Sequence, residues 1–248
     1  MKNQPPLDAL IEIAGEILRA KYGAAEFAFL SGSFVRGEAT AFSDLDIVVI
    51  YKELPNAFRE SFYFRSFPVE AFVHTPETLN YFYEYDAKTF VPSLAVMVAE
   101  GIEVPAKNDL SARLKYLANE FLSRPPKISD EEIRNFRVGL TDLIDDIREP
   151  RSKEELTASG TTLYVALAEF YLRANGAWSA KSKSIPRALR KLNSDFQRRF
   201  CESFERLFVA GAAETVIELT EELLAPHGGF LFDGLRLDAP ADWQKPIE

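Results

Sequence analysis

Two short stretches constrain this chain more than any other part of it: Leu30-Ser31-Gly32-Ser33-Phe34-Val35-Arg36-Gly37, and then Ser43-Asp44-Leu45-Asp46-Ile47-Val48-Val49-Ile50. The second is an apolar, β-branched run carrying two carboxylates one residue apart. A strand turns successive side chains to opposite faces, so Asp44 and Asp46 point the same way while Leu45 and Ile47 enter the opposite layer. Two like charges on one face repel each other, and the pairing needs a physical reason. The first stretch supplies a small-residue turn just upstream.

The flanking sequence predicts a sheet around these stretches. Leu7, Leu10, Ile11, Ala14, Ile17 and Leu18 recur at helical spacing after Pro5-Pro6, with Gly23 as a stop, which describes an amphipathic helix lying on a sheet. Residues 25–30 read as a first strand, and the next helix begins within the Ser31-Gly32-Ser33 turn. Residues 67–74 alternate well enough for a third strand, with Glu70, Phe72 and His74 on one face; His74 is read as structural or exposed. Thr75-Pro76 starts a helix, residues 92–100 form another, and residues 102–105 suit an edge strand because proline is tolerated there. A helix then starts at Asn108-Asp109. The aromatics between Phe58 and Phe90 are expected mostly in the core.

Strand signals stop at Pro125-Pro126. The expectation is an α/β (α+β) domain with a small mixed sheet over residues 1–126 and an all-α bundle over 127–248. Ser129-Asp130-Glu131-Glu132 reads as a capping start, followed by the stripe Ile133, Phe136, Leu140, Leu143, Ile144 and Ile147. A helix over 161–174 carries Leu163, Leu167 and Phe170 on one side and Val165, Ala168 and Leu172 on the other, so it is expected to be buried on both. Pro186 opens a basic helix through Arg199, and further helices run to about Leu224.

Composition narrows the function classes. The net charge of −9 argues against a surface that coats nucleic acid, and it suits a cationic or metal-bridged partner. Cys201 is the only cysteine, which excludes an intramolecular disulfide and a thiolate metal cluster. The first apolar segment is broken by Asp8 and Glu12, unlike a signal peptide, and no run approaches the roughly 18 apolar residues of a membrane span. A cytoplasmic protein, monomeric or homodimeric, is expected.

Taken together, Leu30-Ser31-Gly32-Ser33, Arg36-Gly37 and Ser43-Asp44-Leu45-Asp46-Ile47-Val48-Val49 resemble the nucleotidyltransferase superfamily that includes DNA polymerase β. Its motif is an apolar residue, Gly-Ser, a spacer, then Asp-x-Asp. The resemblance implies that Asp44 and Asp46 hold two magnesium ions, which cancel the carboxylates' repulsion, and that ATP is the co-substrate. It further implies a third carboxylate from a neighbouring strand, where Glu70 falls, as metal ligand and as acceptor of the proton from the attacking hydroxyl. Gly32 would let backbone approach a triphosphate, Ser33 would donate to its oxygens, and Arg36 would add a nearby cation.

The helical half resembles that of aminoglycoside adenylyltransferases through Leu163 to Tyr171 and Asn175 to Leu189. In that likeness Lys183, shortly before a helix start, lies near the nucleotide. Trp178 is a candidate for stacking on a base. Glu169, on a largely apolar helix with Arg173 one turn on, is a rival to Glu70 as general base; Glu70 is preferred because it adjoins the metal pair. Asp142, Asp145 and Asp146 fall opposite the apolar stripe and face water or the cleft, where Asp142 and Asp146 would attract a cationic acceptor. The implied activity is transfer of AMP from ATP to a hydroxyl of a small, cationic, aminoglycoside-like acceptor, with release of pyrophosphate. A protein-directed nucleotidyltransferase of the toxin-antitoxin type and a non-catalytic nucleotide-binding protein are the alternatives.

Overall fold

The computed structural model describes residues 5–236, 238 and 239. The chain divides into two compact units, Met1–Pro126 and Lys127–Glu248. The first contains α1 (Leu7–Lys21), β1 (Phe27–Ser31), α2 (Gly32–Val35), β2 (Leu45–Ile50), β3 (Phe58–Phe64), β4 (Phe67–His74), α3 (Pro76–Thr89), α4 (Ser93–Glu100), β5 (Ile102–Val104) and α5 (Asp109–Leu122). The strands form one mixed sheet in the order β3-β4-β2-β1-β5. Strands β2 and β4 run parallel, and the other neighbours are antiparallel.

Period-two alternation along β2 sorts its side chains into two layers. Leu45, Ile47 and Val49 pack with Leu10, Ile17 and Leu18 of α1. Val48 and Ile50 pack with Phe27 and Phe29 and with Leu79, Tyr83, Leu94, Val98 and Leu114 from α3, α4 and α5. A central strand covered on both faces must be apolar almost throughout, which explains the unbroken run from Ile47 to Ile50. Asp46, two residues before Val48, shares the face of the second layer. Helix α3 starts where Thr75 and Thr78 cap each other reciprocally, and α5 where Asn108 and Ser111 do the same.

Strand β3 has no counterpart among the strands read from sequence. It pairs with β4 from Phe58↔Val73 to Phe64↔Phe67, leaving the two-residue loop Arg65-Ser66 with φ of 47° and 70°. Such a loop needs positive φ at both positions, a demand usually met by Asn and Gly; Arg and Ser give no turn signal. The aromatics of this region are also less buried than expected. Of those from Phe58 to Phe90, only Tyr83 is buried, whereas Tyr63, Tyr81 and Tyr85 are largely exposed.

The second unit holds α6 (Asp130–Arg148), α7 (Lys153–Ala174), α8 (Ile185–Leu192), α9 (Ser194–Ala210) and α10 (Glu214–Leu224), with single 3-10 turns at Ser182–Ser184 and Ala225–His227. Its core joins Leu140 and Ile144 of α6, Leu163, Leu167 and Phe170 of α7, and Phe200 and Phe204 of α9. Two expectations are corrected here. Helix α7 begins at Lys153, well before residue 161, because Ser152 accepts a hydrogen bond from the Glu155 amide; on its second side Ala168 and Leu172 are buried as expected, whereas Val165 is 45% exposed. The basic helix is two helices, broken where Asn193 leaves helical geometry and its side chain accepts from the Phe196 amide. Among the described residues no helix is long and apolar enough to cross a membrane.

Candidate active site

The site is built where β1 ends. After Ser31 the backbone turns at Gly32, with φ of 79°, into the single turn of α2. The loop beyond is tied locally: the Glu38 amide donates to Ser33 O at 2.8 Å, the Ser43 amide to Thr40 O at 3.1 Å, and the Thr40 amide to Ser43 Oγ at 2.8 Å. These bonds deliver Asp44 to the start of β2. Register does the rest, since Ser31 pairs with Asp46 across β1 and β2, and Asp46 pairs with Glu70 across β2 and β4. Asp44, Asp46 and Glu70 each bring a carboxylate oxygen within 4.8 Å of the others, and all three are partly exposed.

Gly32 is required by this crowding. A Cβ there would overlap Asp46 Oδ2 and lie 2.8 Å from Asp46 Cγ, so the turn folds directly against the carboxylate. Ser31, fully buried beside Asp46, has a hydroxyl with no hydrogen-bond partner. Three hard oxygen donors, a tight glycine cradle and an adjacent orphan hydroxyl fit a divalent cation such as magnesium.

The positive charges differ from the expectation drawn from sequence. Arg36, exposed at the end of α2, makes ion pairs with Glu38 at 3.1 Å and with Glu100 at 3.3 Å. Arg59, which the sequence reading passes over, donates from Nη2 to Glu70 Oε1, and its guanidinium lies 5.1 Å from the Phe72 ring centroid. Its position on the unrecognised strand β3 is why it was missed. His74, on the predicted face of Glu70, is buried at the end of β4, with Nδ1 3.2 Å from Thr78 Oγ1. Burial pushes its pKa down to about 4, so it is a neutral structural side chain.

The remaining candidates belong to the second unit. Lys183 is exposed in the 3-10 turn before α8, and Trp178 is half-buried. Glu169 lies 3.9 Å from Nη1 of the buried Arg173, which also donates to Glu132. The Ser129 backbone amide, with Arg173, holds the Glu132 carboxyl below the usual carboxylate range. Asp142, Asp145 and Asp146 are exposed as expected; Asp145 is 2.7 Å from Arg148, and Asp146 accepts from Ser159 at 3.4 Å.

Residues 11–156 match the family described as the nucleotidyltransferase domain. The chain belongs to this family. The nucleotidyltransferase match spans the glycine turn and all three carboxylates, and continues past Pro126 through α6. A nucleoside triphosphate substrate and a divalent metal are what such a domain works with, and the acidic triad it needs is present. A solved structure, the nucleotidyltransferase-like protein from Exiguobacterium sibiricum, is 15% identical, covers 88% of this chain and 75% of its own, and has a TM-score of 0.44. No curated protein matches the chain.

Proposed function

We propose that this nucleotidyltransferase is a magnesium-dependent adenylyltransferase that moves AMP from ATP to a hydroxyl of a small cationic acceptor of the aminoglycoside class. The observation that carries the reading is the convergence of Asp44, Asp46 and Glu70 beside the Gly32 turn. The three carboxylates would hold the metal, which when bound stabilises negative charge building on the transferring and leaving oxygens. Gly32 admits the phosphates close to the backbone, and the Ser33 hydroxyl donates to them. The acceptor oxygen bonds to the α-phosphorus as the bond to the bridging oxygen breaks, and pyrophosphate departs.

Glu70 takes the proton of the attacking hydroxyl. It is preferred to Glu169 because it lies among the metal carboxylates, whereas Glu169 is engaged by Arg173 in the second unit. Arg36, on exchanging its partners Glu38 and Glu100, offers positive charge to the triphosphate, and Lys183 is kept as the second unit's nucleotide-binding candidate. Asp142, Asp146 and Glu169 offer negative charge to the acceptor, and Trp178 a ring for stacking. In this reading residues 1–126 carry the chemistry and residues 127–248 select the acceptor.

The test is pyrophosphate release by purified protein with magnesium, each nucleoside triphosphate in turn, and a panel of aminoglycosides and lincosamides. Release is expected with ATP and at least one acceptor. Asp46→Asn, with an unchanged circular dichroism spectrum, is expected to lose about 1,000-fold or more of that activity. Absence of both release and nucleotide binding overturns the proposal.

A further inference from the structure

Arg59 and Glu70 form an ion pair inside the carboxylate cluster, and its two partners are held differently. The Glu70 side chain is 22% exposed on β4, inside the sheet, whereas that of Arg59 is 59% exposed on the edge strand β3. Register pairs Arg59 with Phe72 and Ser61 with Glu70, so the guanidinium crosses diagonally to Glu70 while lying over the Phe72 ring. A positive charge touching Glu70 repels a divalent cation approaching the same carboxylates, and it occupies one of their acceptor positions. The same charge attracts a triphosphate, whose oxygens match the guanidinium fork and whose net charge stays negative when it carries a divalent cation.

We propose that Arg59 is a positioning residue that holds Glu70 until nucleotide arrives and then turns its guanidinium to the triphosphate, so that the cluster takes up metal together with nucleotide rather than metal alone. This rests on the reading of Asp44, Asp46 and Glu70 as the metal site. The Phe72 ring gives the guanidinium a platform from which it can exchange one anionic partner for another without leaving the sheet edge.

Two binding measurements on the full chain test the proposal, using wild type, Arg59→Gln, Arg59→Lys and Asp46→Asn. The first titrates manganese chloride alone, read by the electron paramagnetic resonance of free manganese. The second titrates manganese with the α,β-methylene analogue of ATP, read by calorimetry. Arg59→Gln is expected to bind manganese alone about fivefold more tightly and the manganese–nucleotide complex about fivefold more weakly, with Arg59→Lys between it and wild type. A merely loosened fold weakens both together, so the opposed signs identify the role. The proposal is overturned if the two affinities move in one direction, or if neither moves while Asp46→Asn weakens manganese binding. If Asp46→Asn leaves manganese binding unchanged, the metal-site reading falls first and the role of Arg59 falls with it.

Discussion

Replacing Gly32 with alanine separates backbone strain from displacement of the site. The residue has φ of 79°, where an L-alanine costs about 1 kcal/mol relative to glycine. The added Cβ would lie 2.8 Å from Asp46 Cγ, against a comfortable separation of about 3.5–4.0 Å between carbons, so turn and carboxylate must part by roughly 1 Å. A displacement of that size at reacting groups costs about 100-fold in rate. Gly37 supplies the control, because its φ of 69° imposes the same backbone cost while a Cβ there meets nothing within 4 Å. Hydrogen exchange across β1 and β2 is expected to show both variants destabilised by about 1 kcal/mol. Manganese affinity and pyrophosphate release are expected to collapse in Gly32→Ala and to survive in Gly37→Ala. Wild-type manganese binding by Gly32→Ala, or equal losses in the two variants, would refute the close-approach argument.

Two further outcomes test the packing. His74 is held neutral by burial, with its pKa lowered from 6.5 to about 4, so the unfolded chain binds a proton that the folded chain does not over that interval. Stability of the first unit should therefore be complete above about pH 6.5 and fall as the pH drops toward 4, by up to about 3 kcal/mol. Hydrogen exchange in β2 and β4 reads this, and the component should vanish in His74→Gln. In α7, Leu163 is fully buried and Val165 is 45% exposed, so Leu163→Ala should cost about 2–5 kcal/mol while Val165→Gln stays within about 0.5 kcal/mol. Urea unfolding followed by tryptophan fluorescence measures both, and equal costs would show that Val165 is packed as tightly as Leu163.

The carboxylates were legible because a few local rules determine where they go. Period-two alternation fixes the face of Asp46 from Leu45 and Ile47, and the parallel pairing of β2 with β4 brings Glu70 opposite it. Helix starts were legible for a similar reason, since Thr75, Asn108 and Ser129 cap donors only three residues away. Strand β3 was not legible: at a sheet edge only one neighbour and half a core constrain the sequence, and its hairpin turn uses Arg65 and Ser66 in place of Asn or Gly. The early start of α7 was hidden because its first turns are mostly exposed and polar, leaving Ser152 as the signal.

The cations followed the opposite logic. Arg36 stands in the motif itself, yet the carboxylates it meets are Glu38 and, from 64 residues away, Glu100. Arg59 stands in no motif, yet it touches the acidic triad through Glu70. A short aspartate on a central strand can reach little beyond its own face, so backbone register determines its neighbours. A long guanidinium at the surface reaches across strands, and its partner is chosen by whichever anion the tertiary fold brings within range. The negative half of such a site is thus written in strand periodicity, while its positive half is decided by edge strands and loops. That division explains why opposed effects on metal and metal–nucleotide binding at Arg59 discriminate more sharply than charge removal at any residue of the motif.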